Sequence, residues 1–466
     1  MVMTRRDALM MMGNGFGMVG LGHLLAASSP PSSSPEGKGP HFAPRARRVI
    51  FLFLNGGPSQ VDTFDPKPML EKYHGKPMPG SAQVISGGGQ KIIIGNLMKS
   101  PFSFKKYGQS GIEVSEIFPK LGECIDDVCV LRSMYTDVPN HPPALFMMNT
   151  GNIVVGRPSL GSWLTYGLGT ENQNLPGFVV LCPGLPQIGV ELWTSAFLPA
   201  TYQGTLIQND QSDPEKLIPY VRSHTSVPEQ RRELDLLGKL NRLQLQRQGF
   251  AAELEATIQA METAFRMQTE AVDAFDIAKE SEVTRAAYGE GQFARGCLMA
   301  RRLVERGVRI VQVYFGAQAP WDDHFDMLHH RTLAQQSDQP IAALLRDLKD
   351  RGMLQETLVI IGGEFGRSPA VQAEAFVPGA LLNGRNHNSY GFSMLLAGGG
   401  VKGGMIYGAT DEFGLKAVDK PVHPHDLLAT ILHLCGIDHT KLTYRHSGRD
   451  FRLTDVGGRV IKDIMA

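Results

Sequence analysis

Net charge is the first thing this chain lacks. Across 466 residues, Lys+Arg and Asp+Glu each number 46 and the pI is near 7.2, so no global field holds it on nucleic acid or an anionic membrane. Cysteine is scarce too. Cys124, Cys129, Cys182, Cys297 and Cys435 are odd in number and contain no CxxC pair, which argues against a thiolate metal cluster or a disulfide framework. They read as buried free thiols, although Cys124 and Cys129 could pair in an oxidising compartment. There is no internal repeat. No heptad is sustained long enough for a coiled coil. What is present, at 42% hydrophobic content, is enough apolar material for one large core.

The first residues differ from the rest. Thr4-Arg5-Arg6-Asp7-Ala8-Leu9-Met10 precedes a charge-free, Gly- and Met-rich run from Ala8 to Ala27. This resembles a twin-arginine export signal with a cleavage point near Ala26-Ala27. Asn14, His23 and the glycines make the run a poor spanning helix. The expectation is therefore a signal at 1–27, export to the periplasm or the extracellular space, and no stable membrane span after processing. That route carries folded protein, which suits a metal acquired before export. The Pro/Ser/Gly-rich stretch 28–44 reads as a disordered tether, and 45–466 as the folded domain.

The domain is organised around Thr357 to Pro369, TLVIIGGEFGRSP. Leu358 to Ile361 have the composition of a strand buried on both faces, and Gly362-Gly363 end it. Glu364 and Arg367 thus lie just past a strand's carboxyl end, the rim where open α/β sheets bind ligands. Similar strands are predicted at Val49–Leu54, Val128–Leu131, Gly177–Leu181, Val308–Phe315 and Phe392–Ala397. Helices are predicted at Ala144–Asn149, at Gly296–Arg306, from Asp338 (as cap) to Arg351, and at Pro424–Leu434. Gly80–Gly95 reads as loop or hairpin, and Glu191–Tyr220 as a surface excursion. A helical insertion is expected at about 228–290, where Leu254, Ile258, Met261 and Phe265 repeat at helical spacing. Alternating strands and helices imply an α/β fold, a largely parallel central sheet with helices on both faces.

Ligand-type side chains gather where strands end: Asn55, then Asp322 with His324, then Glu364 with Arg367, then Arg385 with His387. Two imidazoles and two carboxylates suit Zn²⁺ or Mn²⁺, whereas carboxylate and amide alone suit Ca²⁺ or Mg²⁺. Arg367 and Arg385 would hold an oxyanion. Each also has a plain structural role open to it, as turn cap, ion pair or loop hydrogen bond. His329 and His330 read as solvated, and His423 and His425 as cap or packing residues.

The segments FLNGGPSQVDTFDPKP, NHPPALFMMNTG, RPSLGSWLTYGLG, WDDHFD, LLRDLKDRGMLQETLVIIGGEFGRSP, GRNHN and HPHDLLATILHLCGI resemble the exported bacterial family called domain of unknown function fifteen-hundred-and-one. That family is similar to sulfatases, within the alkaline-phosphatase-like superfamily, and the likeness covers nearly the whole chain after the tether. It implies an alkaline-phosphatase/sulfatase-like fold with metals at the carboxyl ends of the central strands. Asp322, His324 and His387 would correspond to one metal site, Asn55 and Glu364 to the other. The chain departs from the enzymes at Asn55-Gly56, where a pair of Asp is usual, and at Glu364-Phe365-Gly366, where Asp-His-Gly is common.

The nucleophile position falls on His141-Pro142-Pro143-Ala144-Leu145, which carries no hydroxyl or thiol, so formylglycine chemistry is not expected. His141 is open as electrophilic donor, metal ligand or nucleophile. Ser59 is the nearest hydroxyl candidate and is more simply a turn cap. The expected function is a metal-dependent hydrolase of a sulfate or phosphate ester, acting on an anionic small molecule or glycan ester. The alternative is a catalytically silent relative that binds a glycan or a partner protein, and phosphoryl transfer within a substrate is a third reading.

Overall fold

A computed structural model describes residues 38–79, 84–87, 90–211, 213–217, 226–248, 261–262, 265–266, 272–372 and 383–466. The export signal, residues 28–37 of the tether, and Leu254 and Ile258 of the helical insertion lie outside the described residues.

The main sheet has eight strands: β1 (Arg48–Phe53), β3 (Val128–Met134), β4 (Phe178–Leu181), β5 (Thr205–Ile207), β6 (Ile310–Tyr314), β7 (Thr357–Gly362), β10 (Phe392–Ala397) and β11 (Met405–Tyr407). Their order is β11-β3-β10-β7-β1-β6-β4-β5. All neighbours pair in parallel except β10, which runs against both β7 and β3. The α/β architecture with a largely parallel sheet is therefore as the sequence implies.

Alternation along the central strands explains the layers. Ile50 and Leu52 of β1, with Val359 and Ile361 of β7, face one buried cluster. Val49, Phe51, Leu358 and Ile360 face the other. Helices α5 (Gln292–Glu305) and α6 (His329–Asp350) cover the first face through Leu303, Ile341 and Leu345. Helices α2 (His141–Thr150), α3 (Leu160–Leu168) and α7 (Pro424–Leu434) cover the second through Leu145, Trp163 and Leu428. With both faces buried, the strands read as continuous apolar runs.

Three details differ from expectation. Helix α6 starts at His329 and continues through Pro340, so Asp338 does not cap it. The Asp338 carboxylate instead accepts from the Lys120 and Leu121 amides at 2.9 and 2.7 Å, satisfying the start of another helix. The stretch Glu191–Tyr220 is not all surface, since Leu192 and Trp193 are buried and β5 forms the sheet edge. Finally, the end of the expected tether lies against the domain: Gly39 N donates to Gly167 O at 3.0 Å and His41 N to Gly436 O at 2.8 Å. The five cysteines are free and buried. Among the described residues, no helix is long and apolar enough to cross a membrane.

A second sheet places the remaining site residues. Strand β8 (Gly366–Gln372) pairs on one side with β2 (Gln90–Leu97) and on the other with β9 (Arg385–Asn388). β2 in turn forms a hairpin with Val84–Gly87. In β8 and β9, Arg367 lies directly opposite His387.

Candidate metal centre

Because β1, β6 and β7 are adjacent and parallel, with Phe53 in register with both Tyr314 and Gly362, their exits open on one rim. Gly56 (φ 118°) lets the β1 exit pass the β6 exit: a Cβ there would stand 2.6 Å from Trp321 N and 2.7 Å from Asp322 N. That approach is open only to glycine.

On this rim three imidazoles surround one carboxylate oxygen. Oδ1 of Asp322 is 3.1 Å from His141 Nε2, 2.9 Å from His324 Nε2 and 3.1 Å from His387 Nε2. The His324 and His387 Nε2 atoms are themselves 3.0 Å apart. His141, Asp322 and His387 thus form a group able to hold a metal ion. Phe365 closes one side, its ring centroid 4.7 Å from that of His141 and 4.6 Å from that of His387.

The outward nitrogens fix the tautomers. His387 Nδ1 is 2.7 Å from Pro139 O, and since a carbonyl only accepts, Nδ1 carries the proton. His141 Nδ1 is 2.6 Å from Glu364 Oε1 and donates in the same way. Burial pushes His387 down to about 3, further lowered by Arg367 and His141 and only partly offset by Asp322, so its ring is neutral. Its Nε2 lone pair then faces a carboxylate oxygen. Two acceptors at hydrogen-bonding distance repel unless a cation lies between them. His141 Nε2 is buried and makes no hydrogen bond despite its 3.1 Å separation from Asp322. Anchored Nδ1–H groups with convergent Nε2 lone pairs are the arrangement of metal-binding histidines, so the residues fit a cation.

Without an ion, His141 takes up the conflict itself. Burial disfavours its charged form, but the facing carboxylates of Asp322 and Glu364 outweigh that and push it up to about 9. Burial would raise Asp322, but its contacts with His141, His324 and His387 and the Arg367 charge outweigh that and hold it well below the usual carboxylate range.

The other expected site residues have partners of their own. Asn55 turns away from the centre: its Nδ2 donates to the Gly316 and Gln318 carbonyls at 3.0 and 2.6 Å, clamping the β6 exit. Glu364 stands behind His141, its two oxygens accepting from Gly56 N at 3.0 and 3.2 Å. Ser59 is buried and its hydroxyl donates to Asp62 Oδ2 at 2.5 Å. Arg385 is buried in a two-pronged pair with Asp62, at 2.7 and 3.1 Å.

Arg367 is also fully buried. It donates to the carbonyls of Gly56, Gly57, Trp321 and Arg385 and to Asp322 Oδ1 at 2.6 Å. It holds the centre together instead of meeting an anion.

The sequence reading also missed a support beneath the centre. His330, read there as solvated, is buried, with Nδ1 2.5 Å from Asp323 Oδ2 and Nε2 accepting from Ser59 N at 3.1 Å. The only signal for it was Asp323 seven residues before an imidazole on a helix. His423 does act as a cap, in a capping box with Asp426 at the start of α7.

The head of α2 offers little to an anion. His141 is its first residue, and Pro142 and Pro143 remove the next two amide donors.

Comparison with solved structures finds a sulfatase from Pseudoalteromonas sp. at 13% identity, covering 84% of this chain and 68% of that one, with a TM-score of 0.35. It also finds the lipoteichoic acid synthase LtaP from Listeria monocytogenes, at 8% identity, 96% and 80% coverage and a TM-score of 0.36. A protein in the alkaline phosphatase superfamily from Vibrio parahaemolyticus aligns at 11% identity, 93% and 76% coverage and a TM-score of 0.34. No curated protein matches the chain in sequence. Residues 46–465, nearly everything in the two sheets and their helices, match one family model, and the chain belongs to that family, described as "Protein of unknown function (DUF1501)".

Proposed function

We propose that this protein is a metal-dependent hydrolase of a sulfate or phosphate ester, with water as the attacking group. The observation that carries the reading is the His387 lone pair directed at the Asp322 carboxylate, 3.1 Å away, with Nδ1–H already committed to Pro139 O. His141, Asp322, His324 and His387 would hold the ion. An imidazole-rich set of this kind fits zinc or manganese better than calcium or magnesium. When bound, such an ion polarises an ester oxygen and acidifies water.

The chain's own groups do the rest. Glu364 keeps the His141 proton on Nδ1 and so its lone pair on Nε2. Arg367 fixes Asp322 against the Gly56 and Gly57 carbonyls. Phe365 walls off bulk water on one side. No hydroxyl or thiol at the head of α2 competes as nucleophile. The test is hydrolysis of aryl phosphate and aryl sulfate by metal-loaded protein. Turnover abolished in D322N supports the reading, and colourless incubations across a zinc, manganese, calcium and magnesium panel contradict it.

A second reading, a silent relative that binds a glycan or partner protein at the same rim, is favoured by one observation: both arginines are spent inside the protein. Glycan binding that persists in D322N, without turnover in the wild type, would select it. Export rests on Arg5-Arg6 and the run that follows. Replacing both arginines with lysine should trap the protein in the cytoplasm on cell fractionation; unchanged periplasmic yield would count against it.

A further inference from the structure

The family resemblance implies two metal sites, one at Asp322, His324 and His387 and one at Asn55 and Glu364. The residues of the first converge on one oxygen, whereas those of the second are held by other partners. The Asn55 amide is taken by two carbonyls, and Glu364 is taken by Gly56 N and His141. The Arg367 guanidinium bridges the Gly56 carbonyl and Asp322 Oδ1.

We propose that the centre holds a single divalent ion, and that the Arg367 guanidinium stands as a fixed positive charge beside Asp322, where a second ion would otherwise sit. The inference rests on the metal-centre reading above and goes further, to the number of ions and the role of one residue. Charge supports it. With neutral imidazoles, Asp322 and Glu364 contribute two negative charges and Arg367 one positive, leaving one net negative charge. One divalent ion turns that to one positive, a modest imbalance for a buried site. A second would raise it to three positive, with no further carboxylate in the cluster to offset it.

Position supports it as well. Arg367 reaches Asp322 Oδ1, the oxygen the three imidazoles also surround, at 2.6 Å. It also donates to the Gly56, Gly57, Trp321 and Arg385 carbonyls. A guanidinium held at so many points does not swing aside for an arriving cation. The cross-strand pairing of Arg367 with His387 fixes charge and ligand in one register.

The test is native mass spectrometry of chelator-stripped full chain titrated with Zn²⁺ and, separately, Mn²⁺, counting only ions lost in D322N. One such ion per chain is expected. Two would overturn the single-ion inference while leaving the metal-centre reading intact, and none would remove both. R367M supplies a second readout: with the repelling charge gone, ion affinity should rise about tenfold or more, or a second ion should enter, while R367K stays near wild type. Weaker binding by an R367M protein with a normal melting transition would show Arg367 to be structural only. If R367M does not fold, the wild-type stoichiometry decides.

Discussion

Each imidazole in the centre has one nitrogen anchored outward and the other directed inward, and it is this division of labour that makes the cluster more than a set of adjacent polar groups. Glu364 acts through His141, so E364Q should preserve the fold and weaken zinc binding by about 10–100-fold, the usual effect of removing a carboxylate behind a ligating histidine. Calorimetric titration of wild type and variant checks this, and equal affinities would show that Glu364 is not coupled to the ion.

The pH behaviour of metal-stripped protein follows from His141. Its folded value is raised to about 9 from an ordinary unfolded value of about 6.5. The stabilisation is therefore complete below about pH 6.5 and is lost as pH rises through about 9. Melting temperatures of chelator-stripped protein should fall across that window, and H141Q should be flat there. At this scale the sequence showed residue types but not directions. Asp322, His324 and His387 were legible as candidate ligands because each follows a strand exit or loop. Asn55 and Arg385 were indistinguishable in text from ligands, because the clamp and the ion pair that occupy them come from residues distant in sequence.

At the scale of elements, the site depends on strand exits that pass each other at backbone contact. Gly56 is one such point, where positive φ and the Trp321–Asp322 backbone both exclude a side chain. G56A should push the Asp322 segment off the rim, lowering the melting temperature and weakening zinc binding by roughly tenfold or more, since it disturbs both Asp322 and the Gly56 amide that holds Glu364. Unchanged affinity in G56A would mean that the two exits move independently. The central strands were legible because both faces are buried and the apolar runs are uninterrupted. The start of α6 was not, because Asp338-Gln339-Pro340 looks like a helix beginning, and only the tertiary contact of Asp338 with Lys120 and Leu121 reveals its actual use. Leu192 and Trp193 were hidden for a related reason: their segment has no period, and its burial depends on other elements.

Across the whole molecule, the two sheets are joined behind the centre by a buried ion pair. Asp62, just past the β1 exit, holds Arg385 of β9, and Arg385 also donates to Ser368 and Met98 carbonyls at 3.2 and 3.0 Å. Burial raises the Asp62 carboxyl, but Arg385 and nearby hydroxyls outweigh it and the net shift is downward, so the pair remains ionised at neutral pH. Removing one partner leaves the other charge buried, and D62A should cost about 3–5 kcal/mol in denaturant unfolding. A loss below about 1 kcal/mol would show that the second sheet does not depend on this bond.

The central claim is that one cation sits beside Asp322 among the imidazoles of His141, His324 and His387. Anomalous diffraction at a metal absorption edge, from crystals of protein purified without chelator, tests it most directly. The account predicts one peak among the three Nε2 atoms and the Asp322 carboxylate, with Arg367 unmoved beside it. Ordered side chains at this rim with no anomalous peak between them, after growth with added zinc or manganese, would contradict it.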